Sequence, residues 1–170
     1  GELFVAIKGQ NFDGHNFINA AIKKGAHCII KETGGTFQPI RKVVVIEVRD
    51  TTQALGDIAR FWREKFPIPL IAVTGSNGKT TTKEMLAWVL SQRFKVLKNE
   101  GTKNNQIGLP LTLLKLNSSY DIAVLEVGTN HFGEVRYLAK ICLPNIAVIN
   151  NIGPAHLEYR HRFLQGLRLF

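Results

Sequence analysis

The chain has 170 residues, 45% of them hydrophobic, and a formal net charge of +9 at pH 7. That is enough apolar material for one good core or two small ones, while no apolar run approaches the roughly 20 residues of a membrane-spanning helix. The basic excess is scattered over short clusters, Lys23-Lys24, Arg41-Lys42 and Arg160-His161-Arg162, without interleaved aromatics; this argues for solvated surface and an acidic small substrate rather than nucleic acid. The start, Gly1-Glu2-Leu3-Phe4, carries no basic n-region, and Cys28 and Cys142 each lie in an apolar stretch, the pattern of buried free thiols. A cytoplasmic protein without membrane insertion is expected.

In chain order, Leu3–Ile7 reads as a short strand, followed by a polar turn from Lys8 to His15 and a helix over Asn16–Gly25 with Gly25 as its stop signal. Cys28–Ile30 and Val43–Ile46 read as strands separated by a loop at Gly34-Gly35, and Thr51 or Thr52 caps a helix running to about Lys65. Pro67-Ile68-Pro69 cannot continue that helix and stiffens an extended connection, so 1–66 and 67–170 are expected as separate domains. Beyond it, Leu70–Val73, Ile122–Glu126 and Ile146–Ile149 are near-continuous apolar strands alternating with helices, with a shorter run at Lys95–Leu97. This is the pattern of a parallel sheet covered on both faces. The predicted class is α/β: a small N-terminal α/β domain, then part of a P-loop-type central domain with a mostly parallel sheet. Ligands of such sheets bind outside the carboxyl ends of the strands.

The strand at Leu70–Val73 leads into Gly75-Ser76-Asn77-Gly78-Lys79-Thr80-Thr81 and then a helical run through Leu90. A strand, a Gly-rich turn and a helix N-terminus in succession surround a polyphosphate with backbone N–H groups and the positive end of the helix dipole. Lys79 is expected to reach the β- and γ-phosphates and the Thr80 hydroxyl to meet Mg²⁺. The usual motif is Gly-x-x-x-x-Gly-Lys, and its first position here is Val73, so this loop is a shorter variant. A plain turn explains the glycines, but not a lysine in a first helical turn, where a cation opposes the dipole unless something negative sits there. Glu126, at the end of its strand, is placed to hold Mg²⁺ directly or through water, the alternative being a salt-bridged or solvent-facing glutamate. His156 taken alone is an ordinary satisfied or solvated histidine; it gains weight by following the strand Ile146–Ile149 on the same sheet edge. The loop Asn99–Pro110 is rich in side-chain amides, and no Asn-Lys-x-Asp segment is present to read a guanine base.

Gly75–Thr81, Asn99-x-Gly-Thr-x-Asn-Asn-x-Ile-Gly-x-Pro110, Glu126-Val-Gly, Gly133-Glu134 and Asn151-Ile-Gly-x-Ala-His156-Leu-Glu158 together resemble the Mur ligases of peptidoglycan synthesis. The Asn-Asn-x-Ile-Gly-x-Pro block and the opening Gly-Glu-Leu-Phe-Val-Ala-x-x-Gly-x-x-x-Asp-Gly-His15 point, within that family, to the reaction that joins D-alanyl-D-alanine to UDP-MurNAc-tripeptide. The resemblance implies that ATP phosphorylates the terminal carboxylate of the tripeptide, and that the amine then attacks the acyl phosphate. It further implies that Lys79, Glu126 and His156 are catalytic, that Thr80 and Glu126 hold one Mg²⁺, and that His156 joins a second. Asn104 and Asn105 would line the γ-phosphate and carboxylate side, Gln10, Asn11 and Phe12 would contact the uridine, and Arg136 the substrate peptide. Members of the family are longer, with a C-terminal domain for the amine substrate and a carbamylated lysine that falls near Phe170 by spacing. The tail Tyr159–Phe170 departs from the family. The chain is therefore expected to be a truncated piece of a monomeric parent, inactive in ligation by itself. A related Mur or folylpolyglutamate-type ligase with another substrate, and a non-catalytic nucleotide-binding module, are the alternative readings.

Overall fold

A computed structural model of the chain describes residues 2–34, 37–40, 42–128 and 133–153. Two compact units divide it, Gly1–Leu55 and Gly56–Phe170. In the first, β1 (Glu2–Val5), β2 (Ala26–Glu32) and β3 (Val44–Val48) form a parallel sheet in the order β1-β2-β3. The helix expected over 16–25 is interrupted. The Asp13 carboxylate accepts from the His15 N–H and starts a 3-10 turn over Gly14–Phe17, so the α-helix α1 spans only Ile18–Lys23. Gly25, at φ +103°, ends it. Ile18 and Ile22, four apart on one helical face, bury against Ala6, Ala26 and Ile29. His15 ties this unit's turn to its sheet. Its Nε2 accepts from the Glu32 N–H at 3.0 Å, which leaves the proton on Nδ1 for the Asp13 carboxylate at 2.6 Å. The Asp13 carboxyl is held below its ordinary range, first by the His15 backbone N–H and then by the ring.

The helix α2 (Thr51–Glu64) runs across the division. Its cap is neither threonine: Asp50 Oδ1 accepts from the N–H groups of Thr52 (2.8 Å) and Gln53 (2.9 Å), a side-chain reach that Asp makes readily at this position. The division falls inside α2, ahead of Pro67, because the later turns of the helix belong to the second unit's core. Ala59 packs there, and Trp62 Nε1 donates to the Leu116 carbonyl at 2.9 Å. Arg63, only 5% exposed, donates to the carbonyls of Cys142 (3.0 Å), Ile68 (2.8 Å) and Phe66.

The second unit continues with β4 (Leu70–Thr74), α3 (Lys79–Ser91), β5 (Val96–Lys98), α4 (Gly108–Leu113), β6 (Ile122–Glu126), α5 (Glu134–Cys142) and β7 (Ile146–Ile149). Among the described residues its four strands are parallel, in the order β5-β6-β4-β7. Alternation along β4 builds a three-layer core. Leu70 and Ala72 join Leu109, Leu113, Leu138 and Ile141 on the side of α2, α4 and α5, while Ile71 and Val73 join Ala87, Leu86 and Leu90 of α3 on the other. Each fully enclosed leucine here contributes about 2 kcal/mol by burial. Among the described residues, no helix is long and apolar enough to cross a membrane.

Both cysteines are free, Cys28 half-buried and Cys142 buried, and burial pushes the Cys142 thiol up to about 12. At pH 8 a maleimide will therefore label Cys28 in the folded chain, and Cys142 only after denaturation, as read from intact mass before and after unfolding. Replacing Arg63 by Leu leaves three inward carbonyls without their donor and will cost about 3 kcal/mol, read as a lowered urea midpoint at unchanged m-value.

Candidate functional site

The carboxyl ends of the four parallel strands carry Asn99 (after β5), Glu126 (the end of β6), Gly75 (after β4) and Asn150 (after β7). The loop from β4 to α3 is short. Gly75 sits at φ +135° and Gly78 at φ +76°, both in backbone regions that L side chains rarely adopt. A Cβ on Gly75 would stand 3.1 Å from the backbone N and O of Asn151. That close approach lets the segment after β7 hold the loop. Asn150 N–H donates to the Thr74 carbonyl (3.0 Å), Ser76 N–H to the Asn151 carbonyl (3.2 Å), and Asn77 N–H to Asn151 Oδ1 (2.9 Å). Ser76 Oγ and the Gly153 backbone exchange hydrogen bonds at 2.9 Å, and Asn150 Nδ2 donates to Thr82 Oγ1 at 2.8 Å. Asn150 and Asn151 are thus site residues that sequence reasoning passed over; the signal was two amide side chains directly after a strand.

Gly78 precedes α3 without offering any side-chain cap, and Lys79 opens the helix. The Lys79 ammonium folds back to donate to the Gly75 carbonyl at 2.7 Å and the Ser76 carbonyl at 3.4 Å. These carbonyl dipoles offset the unfavourable meeting of a cation with the positive helix end. One residue on, the Thr80 hydroxyl donates to Glu126 Oε2 at 2.7 Å, and Asn104 Nδ2 donates to Glu126 Oε1 at 2.7 Å. Glu126 is only 2% exposed. Asn99, fully buried and unforeseen, brackets its peptide: Asn99 Oδ1 accepts the Glu126 N–H at 2.9 Å, and Nδ2 donates to the Glu126 carbonyl at 3.0 Å.

The expected residues therefore meet in part. Lys79, Thr80, Glu126 and Asn104 share one sheet edge, together with Gly75, Ser76, Asn77 and Gly78. Thr81 is exposed in the first turn of α3. Asn105 is exposed, and its side-chain oxygen accepts from the N–H groups of Ile107 (3.1 Å) and Gly108 (2.8 Å) at the start of α4. Arg136 is exposed on α5. Gln10, Asn11 and Phe12 lie in the first unit on a tight turn closed by Gly9 N–H to the Phe12 carbonyl at 2.8 Å, with Phe12 73% exposed. His156 and the tail 159–170 lie outside the described residues.

The Thr80 hydroxyl and the Glu126 carboxylate are hard oxygen donors 2.7 Å apart, the chemistry that Mg²⁺ takes. A buried carboxylate met by a hydroxyl and an amide, both neutral, is also one that a cation suits. Among the described residues, no group of three or more His, Cys, Asp and Glu side chains could hold a metal ion.

Fold and loop together define a parallel α/β protein with a glycine-rich strand–loop–helix unit at the carboxyl edge of its second sheet. Comparison with known families is specific. The Mur ligase middle domain matches residues 73–165, and the Mur ligase family, catalytic domain, matches residues 1–63. The chain belongs to the Mur ligase family. It is 43% identical over 160 residues to the UDP-N-acetylmuramoyl-tripeptide–D-alanyl-D-alanine ligase of Haemophilus influenzae, covering 92% of this chain and 34% of that protein. It is similar to the crystal structure of MurF from Acinetobacter baumannii (TM-score 0.84, 41% identity, 92% of this chain and 34% of that one). It is similar also to MurF ligase from Thermotoga maritima in complex with ADP (TM-score 0.84, 40% identity, 94% of this chain and 36% of that one). The chain spans about a third of the length of the curated relatives it matches.

Because Gly75 combines a positive φ with the close approach of Asn151, Gly75→Ala will destabilise the chain by about 1–3 kcal/mol in denaturant unfolding.

Proposed function

We propose that the chain supplies the UDP-substrate and nucleotide parts of an ATP-dependent amide ligase that joins D-alanyl-D-alanine to UDP-MurNAc-tripeptide in the cytoplasm. Residues 1–66 serve the UDP-substrate and residues 67–170 the nucleotide. The observation that carries this reading is the meeting of Thr80, Asn104 and Glu126 at the strand edge where Lys79 opens α3. The family membership and the activity for which the relatives are named support it.

The chemistry asks for negative charge to be held and neutralised while an acyl phosphate forms and then yields to an amine. The Gly75–Gly78 backbone and the first turn of α3 offer N–H groups to phosphate oxygens. Lys79 exchanges its loop carbonyls for a phosphate, so nucleotide replaces partial charges with a full one. Thr80 and Glu126 would hold one Mg²⁺ and His156 would join a second, and such ions when bound neutralise phosphate charge. Asn104 keeps the Glu126 carboxylate in one orientation. Asn105 and Arg136 are assigned to the substrate side. Gln10, Asn11 and Phe12 are assigned to the uridine, for which the exposed Phe12 ring supplies a stacking face.

ATP with Mg²⁺ titrated into this chain in a calorimeter will give saturable binding that Lys79→Ala weakens by about 10- to 100-fold, the loss of a charge-assisted phosphate contact; equal binding by the two would remove the loop from the nucleotide site. In the gene product that carries these residues, phosphate release from ATP will require both UDP-MurNAc-tripeptide and D-alanyl-D-alanine. Release that instead follows another muramoyl peptide or a folate would assign the chain to a neighbouring ligase.

A further inference from the structure

Lys83 is the largest fully buried side chain among the described residues, with no exposed surface, and no step above uses it. It lies one turn beyond Lys79 on α3. Its Nζ donates to the Asn99 carbonyl at 2.8 Å and the Gly101 carbonyl at 3.5 Å, and it pairs with Glu84 Oε1 at 2.9 Å. Glu84 in turn holds Lys98, the last residue of β5, and Lys98 and Lys83 together keep the Glu84 carboxyl below its ordinary range.

Enclosing an ammonium costs several kcal/mol, and an apolar side chain of similar volume often serves stability equally well or better. A methionine would fill the same space. What it lacks is a donor for the buried Asn99 carbonyl, so the charge has a positional use.

That use is visible one residue away. β5 pairs with β6 only as far as Lys98 opposite Val124. Beyond that point the Asn99 side chain takes over the ladder, accepting the Glu126 N–H and donating to the Glu126 carbonyl, while Nδ2 also reaches the Lys103 carbonyl at 3.0 Å. A linked series of contacts therefore runs from the Lys83 ammonium to the Asn99 main chain, from the Asn99 side chain to the Glu126 peptide, and from the Glu126 carboxylate to Thr80, which lies back on α3. The same helix anchors both ends of it.

We propose that Lys83 and Asn99 are positioning residues for Glu126: together they hold its carboxylate against Thr80 in the geometry that takes the metal ion of the bound nucleotide. This rests on reading Glu126 as a metal-binding carboxylate. Lys83 touches neither nucleotide nor metal and acts through Asn99.

The test is calorimetric titration of ATP into the 170-residue chain over a series of Mg²⁺ concentrations and in EDTA, for wild type, Lys83→Met and Asn99→Ala. Both variants will raise the Mg²⁺ concentration needed for half-maximal enhancement of ATP affinity by about tenfold, the usual effect of removing a group that orients a metal ligand. In both, binding in EDTA will stay within about twofold of wild type, because the loop and Lys79 are untouched. An unchanged Mg²⁺ requirement overturns the proposal, and so does an equal loss with and without Mg²⁺, which is the mark of general damage. If Lys83→Met does not fold, Asn99→Ala decides by the same two outcomes. If wild type binds no nucleotide, the nucleotide reading falls by itself. Positioning is then read from hydrogen exchange at the Glu126 amide: faster exchange in Lys83→Met or Asn99→Ala supports it, and unchanged protection overturns it.

Discussion

The carboxylate of Glu126, enclosed at the end of a central strand, receives one hydrogen bond from Thr80 on α3 and one from Asn104 on the loop after β5. A buried charge is tolerated only where neighbours replace the water it has lost. Here those neighbours come from two different connections of the sheet, so helix, strand and loop must all be in register for the carboxylate to be satisfied. The strand order supplies that register. β6 lies between β5 and β4, the two strands whose following segments carry Asn104 and Thr80. Parallel pairing then brings every one of these segments out at the same edge.

A second dependence runs across β4 in the other direction. The Gly75–Gly78 loop lacks two residues of the longer P-loop pattern, and its shape is imposed by Asn150, Asn151 and Gly153 beyond β7. The Ser76 and Asn77 amides and the Lys79 ammonium have protein acceptors in this structure. Anion binding at such a loop is an exchange of partners, and its net strength is the difference between two sets of charge-assisted contacts. The short loop is thereby held to the segment after β7.

Stability and site are partly separable. Arg63 gathers the carbonyls of Phe66, Ile68 and Cys142 and so ties the end of α2 to the start of β4 and the end of α5. That arrangement lies in the layer below the sheet edge and has no partner in common with Glu126. It also accounts for a division inside α2: a helix that ends by donating into one core belongs, over those turns, to that core.

Much of the scaffold was legible in the residues. β6 and β7 coincide with the expected runs at Ile122–Glu126 and Ile146–Ile149. β6 is buried almost throughout and announces itself as unbroken apolar sequence. β7, at the edge of the sheet, carries an equally apolar run but leaves Ile146 and Ile149 exposed, so the expected cover on both faces stops short of it. The loop, Lys79, Thr80 and Glu126 were legible for the same local reason: glycine, charge and hydroxyl stand next to a strand end. The identity of the cap on α2 was not, since Asp50, Thr51 and Thr52 are adjacent and only the turn geometry chooses Asp50. Nor were Asn99 and Lys83, because a lysine on a helix with mixed faces reads as solvated surface and an asparagine in a loop reads as a turn. Sequence by itself determined which segments are strands and helices and which chemical groups stand at their ends, since periodicity and turn residues act over a few neighbours. Tertiary structure alone decided which distant carbonyl, amide or hydroxyl satisfies each buried polar group, because that partner is chosen by strand order and not by spacing along the chain.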